Sequence, residues 1–352
     1  MKILVIQQKM IGDVLVSSIL CNNLRKMYPH ATIDYMIYEH TLAVVYNNPN
    51  IDNLILFTNN DKKLGSLFKR ISQLRKTKYD IIIDAYSKIG TSLMCLFSGA
   101  KTTIGFKKWY SSFCYKHTLD RKEKASTIAG LAIEIRVALL EFLKPQIALD
   151  LMPHIFLTDD ELQTAQSTLQ QHGLHNQPLI MIGLLGSGEN KSYPAAYMAH
   201  VLDSVAINTK AKLLVNYMPS QQKQADEILG LCNAVTLQKI VTDLQPKGLR
   251  SFLAILHYCK AIIGNEGGAV NMAKALQLPT FSIFSPMVGK EGWDLFADGK
   301  KHVSVHLKDF KPELFTNLNK TKAKEQVFNL YQQFTPDLVE PQLLHFIKVN
   351  EL

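Results

Sequence analysis

No apolar run in the 352 residues approaches the roughly 20 that a membrane-spanning helix needs, so no helical span is expected. The opening Met1-Lys2-Ile3-Leu4-Val5-Ile6 is stopped by Gln7-Gln8-Lys9, too short for the apolar core of a secretory signal. A cytoplasmic location is therefore expected. Cysteine is sparse and scattered: Cys21, Cys95, Cys114, Cys232 and Cys259 form no C-x-x-C pair and have no histidine at metal-ligand spacing. That argues against a disulfide framework or a zinc site and for reduced, mostly buried thiols. The sequence also lacks G-x-S-x-G, H-E-x-x-H, a paired aspartate cluster, and G-x-G-x-x-G after the first apolar run. Hydrolase, metalloenzyme and dinucleotide-oxidoreductase readings lose support accordingly. There is no internal repeat and no low-complexity segment.

What is present reads as an ordinary globular chain, 47% apolar and 20% charged, about twice the usual single-domain length. Short apolar runs alternate with helical patterns, the signature of a parallel, helix-covered sheet. Ile3 to Ile6, Thr32 to Ile37, Leu54 to Phe57 and Ile81 to Asp84 read as strands, with a helix from Asp13 to Met27. The pattern pauses after Leu149, passes a helix from Asp159 to Gln171, and restarts at Pro178 with Leu179 to Gly183. Further strands are expected at Lys212 to Asn216, Ala261 to Gly264 and Thr280 to Phe284. Helices are expected at Pro194 to Asn208, Gln221 to Leu231 and Ala269 to Leu276. Two α/β domains follow, 1–174 with its linker and 175–320, with a helical tail 321–352 broken at Thr335-Pro336 and expected to return to the first domain.

Three segments carry the chemistry. The first strand feeds Lys9-Met10-Ile11-Gly12-Asp13-Val14-Leu15 at a carboxyl sheet edge, where ligands gather in doubly wound folds. Asp13 there suits either an N-cap or a general base. In the second half, Gly183 leads to Gly186-Ser187-Gly188-Glu189-Asn190-Lys191 and then Pro194, a plausible first helical position. Its glycines allow close backbone approach, and Ser187 and Lys191 suit a phosphate, although the segment is no P-loop. Finally, Gly264-Asn265-Glu266-Gly267-Gly268-Ala269-Val270-Asn271 joins a buried strand to an apolar helix. The amides at that helix start form an anion site suited to a pyrophosphate, with Glu266 at its lip.

In this order and spacing, the three segments resemble the heptosyltransferase family of lipopolysaccharide core biosynthesis, glycosyltransferase family 9. The resemblance covers most of the chain and is strongest in Lys2 to Leu15 and Gly264 to Pro286. It implies a GT-B fold: two Rossmann-like doubly wound domains facing an interdomain cleft. It also implies an inverting, metal-independent transferase that needs no cofactor beyond its substrate, a nucleotide-sugar donor of the ADP-heptose kind. By resemblance Asp13 matches the catalytic base, Lys191 the contact to the donor phosphates and Ser187 a neighbouring ligand on the Gly186 loop. Glu266 matches the acidic residue opening the donor turn, with Gly267, Gly268 and Ala269 giving amides to the diphosphate. The acidic ribose contact falls at Gln221-Gln222, so Gln222 takes that position. The family commonly has Asp then Thr or Ser where this chain has Glu266 and Gly267, and His at Asn271. These departures bear on which donor is accepted. A different nucleotide sugar, or a non-catalytic nucleotide-sugar-binding protein of the same fold, are the alternatives.

The net charge of +9 biases the chain toward anionic partners. Residues 61–78 hold seven lysines and arginines, among them Lys62 and Arg70, against Asp61. Residues 101–124 hold seven, among them Lys107 and Lys108, against Asp120 and Glu123, and interleave Phe106, Trp109, Tyr110 and Phe113. With Gly12, these residues suit an acidic glycolipid acceptor presented at the inner-membrane surface, a lipopolysaccharide core by resemblance. A solvated basic face is the plainer reading of either block. No nucleic-acid-binding module accompanies the charge.

Overall fold

The apolar runs of the first half become a six-stranded parallel sheet in this computed structural model, which describes residues 1–58, 64–316 and 318–352. Its strands are β1 (Lys2–Ile6), β2 (Thr32–Tyr38), β3 (Asn53–Phe57), β4 (Ile81–Asp84), β5 (Thr102–Phe106) and β6 (His117–Leu119), in the order β3-β2-β1-β4-β5-β6. Ile3 pairs with Ile33 on one side and Ile81 on the other. Ile3, Leu4, Val5 and Ile6 are fully buried, as a strand covered on both faces requires. The order reverses between β1 and β4, so the segments after those two strands diverge and leave room for a ligand.

The second half repeats the plan. Strands β7 (Leu179–Gly183), β8 (Lys212–Asn216), β9 (Ile240–Val241), β10 (Ala261–Asn265), β11 (Thr280–Ile283) and β12 (His302–Val305) run parallel in the order β12-β11-β10-β7-β8-β9. Counted from its own first strand, this is the arrangement of the first sheet, with the switch point at β7 and β10. Both sheets are Rossmann-like and doubly wound. All five cysteines are free and buried.

Two boundaries differ from the sequence reading. The chain divides into Met1–Phe156 and Leu157–Leu352, not at residue 174. The helix Asp159–Gln171 therefore belongs to the second unit. Thr158 caps it, accepting from the Glu161 amide at 3.2 Å. Glu161 also accepts from Arg250 Nε at 2.7 Å, and Tyr258 Oη donates to the Leu162 carbonyl at 3.2 Å, tying this helix to the helix Leu249–His257 and its end. The tail, expected to return to the first domain, is instead part of the second unit. Thr335 precedes the helix Pro336–Val349, whose Val339, Leu343, Phe346 and Ile347 enter the second core, with Phe346 5.7 Å from the Phe281 ring.

Candidate functional site

In the first unit the chain leaves β1 through Gln7–Met10 and enters the helix Ile11–Met27. Met10 takes the N-cap position without a side-chain cap bond, so Asp13 is no N-cap. It lies in the first turn, and its carboxylate is turned to a cation. Arg136, in the helix Leu131–Val137, donates from Nη2 to Asp13 Oδ1 at 2.8 Å, from Nε to Ser17 Oγ at 2.6 Å and from Nη1 to the Ala132 carbonyl at 2.7 Å. Ser17 Oγ in turn donates to Gln7 Oε1 at 3.0 Å. The Arg136 and Asp13 side chains are 10% and 14% exposed, so the pair is largely withdrawn from screening water. Burial pushes the Arg136 guanidinium below its ordinary pKa, and Asp13 pulls it back.

More positive charge gathers near by. Arg121 stacks over the Phe106 ring at 4.5 Å; burial lowers its pKa, opposed by Asp13 and Tyr110. The half-buried Lys108 donates to the Ser87 carbonyl. Burial, with the charges of Arg121 and Lys88, pushes its pKa down to about 8. The turn that presents Ser87 is built by the fully buried Asp84 at the end of β4. Its Oδ1 accepts from the amides of Tyr86 and Ser87 at 3.1 and 2.8 Å, and its Oδ2 from Tyr115 Oη at 2.7 Å. Burial raises the Asp84 pKa against those bonds.

Other expected acceptor residues are placed differently. Lys107 makes an exposed 3.3 Å ion pair with Asp120, a kind worth little. Arg70, on the helix Leu64–Thr77, donates to the Leu56 carbonyl at 3.2 Å and to Gln73 at 3.3 Å, which ties it to the end of β3. Gly12 is half-buried beside Asp13. Lys62 lies outside the described residues.

In the second unit, the segment after β7 folds back on itself. The Gly186 amide donates to Ser192 Oγ at 3.0 Å, Ser192 Oγ to the Gly188 carbonyl at 3.0 Å, and Gln221 Nε2 to the Gly186 carbonyl at 2.8 Å. A Cβ on Gly186 would lie 2.2 Å from the Lys191 carbonyl oxygen, so only glycine fits. Asn265, at the end of β10, fastens this loop. Its Oδ1 accepts from the Tyr193 amide at 2.7 Å, and its Nδ2 donates to the carbonyls of Leu184 at 2.9 Å and Gly183 at 3.2 Å. Gly264 before it has φ +144° and passes so close that a Cβ would sit 2.2 Å from the Gly183 oxygen.

After Asn265 the chain turns through Glu266 and Gly267 into the helix Gly268–Ala275. The first-turn amides of that helix, Ala269 among them, have no acceptor within it. Burial raises the Glu266 pKa, and the charge of Lys191 opposes the rise. Ser187 is exposed and Lys191 half-buried on their loop, as is Asn271 on its helix. Gln222 is exposed and bonds to Tyr217 at 3.2 Å and Asp226 at 2.8 Å, whereas its neighbour Gln221 holds the loop.

Arg136, Asn265 and the stacked Arg121 were not singled out as site residues from sequence. Arg136 did leave a signal: a lone arginine within the apolar run Leu131 to Leu140 is rarely buried without a partner.

Comparison with known proteins adds to this geometry. The sequence model of glycosyltransferase family 9 (heptosyltransferase) matches residues 67–317. Lipopolysaccharide heptosyltransferase 1 of Campylobacter coli is 23% identical over 293 residues, covering 81% of this chain and 84% of that protein. Among solved structures, the glycosyl transferase family 9 protein from Veillonella parvula superposes with a TM-score of 0.76 at 21% identity, covering 97% of each chain. Escherichia coli ADP-heptose lipopolysaccharide heptosyltransferase II does so with a TM-score of 0.68 at 19% identity, covering 95% of this chain and 99% of that one. The structural likeness is one of fold, the GT-B pair of Rossmann-like units.

Proposed function

The chain belongs to glycosyltransferase family 9, and from that premise we propose that it moves a sugar, heptose, from an ADP-activated donor to an acidic lipopolysaccharide-core acceptor with inversion. The observation that carries the reading is the Asp13 carboxylate fixed by Arg136 at the carboxyl edge of β1. Arg136 engages one carboxylate oxygen and thereby directs the other toward an acceptor hydroxyl. As that hydroxyl oxygen attacks the anomeric carbon, its proton passes to Asp13. The bond from that carbon to the diphosphate oxygen breaks, and the nucleoside diphosphate departs with the electron pair. One displacement through an oxocarbenium-like transition state inverts the centre.

The second unit supplies the leaving-group stabilisation. The helix start at Gly268 and the Lys191 ammonium take up the negative charge that grows on the diphosphate. Glu266 accepts from a donor hydroxyl, and the Gly186 loop, braced by Asn265 and Gln221, lets backbone approach the phosphates. In the first unit Lys108 and Arg121 meet the acidic groups of the acceptor. Lys191 and the helix-start amides supply the charge a metal would otherwise provide at the diphosphate, so no step calls for one.

Calorimetry with ADP-, UDP- and GDP-linked sugars tests the donor half. Selective binding of ADP-heptose, weakened by Lys191→Ala, is the expected result. Preference for another nucleotide keeps the transferase and replaces its substrate, and no binding of any of them overturns the donor assignment.

A further inference from the structure

The tail is broken at Thr335-Pro336, and the break frees a backbone carbonyl. The helix Val327–Gln333 ends at Phe334, and Pro336 opens the helix Pro336–Val349 with no amide to donate. The Leu338 amide donates to the Thr335 carbonyl at 3.1 Å. The Phe334 carbonyl accepts instead from Tyr193 Oη at 2.6 Å, across 141 residues of sequence. Tyr193, Tyr331 and Phe334 are all buried. The Tyr193 ring meets Phe334 edge to face at 5.6 Å between centroids and Tyr331 at 6.2 Å. A hydrogen bond within such a cluster is shielded from competing water. A phenylalanine would fill the same space as Tyr193, so what the hydroxyl adds is the tether.

Tyr193 lies two residues after Lys191. Its amide donates to Asn265 Oδ1 at 2.7 Å, so the end of β10 holds its backbone and the tail holds its tip. On the other side of Lys191, the Asn190 carbonyl accepts at 2.7 Å from Oγ of Ser285, a fully buried residue following β11. Lys191 therefore sits between two backbone groups fixed from elsewhere in the second unit. A lysine is a point charge on a flexible four-carbon stem, so the fold can aim it only through its backbone. Backbone ordered before a ligand arrives spares the ligand that entropy.

We propose that the tail is part of the donor site: Tyr193 is a positioning residue that ties Lys191 to the break at Phe334, and so aims the ammonium at the diphosphate of a nucleoside-diphosphate donor. This deepens the reading of Lys191 as the phosphate contact and rests on it. The terminal helices then serve donor affinity without touching the donor.

Calorimetry with ADP on the full chain tests the tether. Tyr193→Phe keeps the ring and removes the bond, and should weaken ADP binding by about 3- to 10-fold, the worth of one neutral hydrogen bond. In turnover the donor KM should rise by a similar factor while the acceptor KM stays unchanged. Added to Lys191→Ala, the same substitution should cost no further affinity, because it acts through that lysine. Val339→Ala opens a cavity beneath the terminal helix and leaves the bond in place. It should lower the thermal midpoint at least as far as Tyr193→Phe does, yet bind ADP as the wild type does. Wild-type affinity in a folded Tyr193→Phe, with weak binding by Lys191→Ala, would overturn the role of the tail and spare the donor reading. Wild-type affinity in Lys191→Ala, or no ADP binding by the parent chain, would overturn that reading and the tether with it. Equal losses of affinity in Val339→Ala and Tyr193→Phe, or additive losses in the double variant, would overturn the tether alone.

Discussion

Arg136 Nη2 lies 2.8 Å from Asp13 Oδ1, across 123 residues of sequence, and the same guanidinium also holds Ser17 and the Ala132 carbonyl. The carboxylate is thus set by a neighbour that is itself fully engaged.

Removing the proposed base, Asp13, and removing its holder, Arg136, should differ. Asp13→Asn keeps the shape and is expected to lower kcat by about 10²- to 10⁴-fold, the usual contribution of a general base, with donor affinity unchanged by calorimetry. Arg136→Met breaks a buried pair and should cost about 3 kcal/mol in denaturant unfolding, along with part of kcat. If Arg136 acts through Asp13, the losses in kcat for the double variant will be less than additive. Full additivity would detach the two.

Asn265 predicts a loss of donor affinity without donor contact. Asn265→Ala strands the Tyr193 amide and the carbonyls of Gly183 and Leu184, at about 1–3 kcal/mol for an unsatisfied buried group. Donor binding should weaken as the Gly186 loop loosens. Asn265→Asp restores the acceptor for Tyr193 alone and should recover part of the affinity. Gly264→Ala, forced against the Gly183 oxygen at positive φ, should destabilise by about 2 kcal/mol or more.

Lys108 sets an alkaline limb. Its ammonium is held down to about pKa 8, so its charge is present below that pH and lost above it. For an acidic acceptor, kcat/KM measured at saturating donor should fall as pH rises through about 8, by a rise in acceptor KM. Lys108→Met should lower kcat/KM at neutral pH and remove this limb. An unchanged profile would exclude Lys108 from acceptor binding.

His302 sets an acid limit on stability. It is buried beside Thr280, with Nδ1 3.1 Å from Oγ1, and burial pushes its pKa from 6.5 to about 4. Between those values the unfolded chain binds the proton first, so stability falls as pH drops through that window. The loss is at most on the order of 3 kcal/mol. His302→Gln should unfold at lower pH than the parent in an acid titration followed by circular dichroism, once its own stability at pH 7 is subtracted.

Chelation is the remaining test. With charge supplied by Lys191 and backbone amides, turnover should survive exhaustive dialysis against EDTA. Activity lost on dialysis and restored by a divalent cation would contradict the proposed donor site.

The elements legible in the sequence are those whose burial is written in consecutive residues. Ile81–Asp84 and Lys212–Asn216 are apolar runs between turns, and both form strands at those bounds. Thr102–Phe106, His117–Leu119 and His302–Val305 also form strands, yet threonine, histidine and flanking lysines hide them, because pairing with a neighbour holds them in the sheet. The helix Asp159–Gln171 is legible, but the unit it joins depends on Arg250, 89 residues on from Glu161. The loops bearing Asp13, Lys191 and Glu266 could be found because glycines and helix starts announce them locally. Arg136 could not be paired with Asp13, since no local rule links residues so far apart.

Each unit is one unbroken stretch of chain, with a single peptide crossing from Phe156 to Leu157, and the terminal helix belongs to the second. A gene encoding such a chain can therefore trade its latter part whole through one recombination event. Inheritance of the first sheet is separable from inheritance of the second, and new pairings of the two can arise without rebuilding either core.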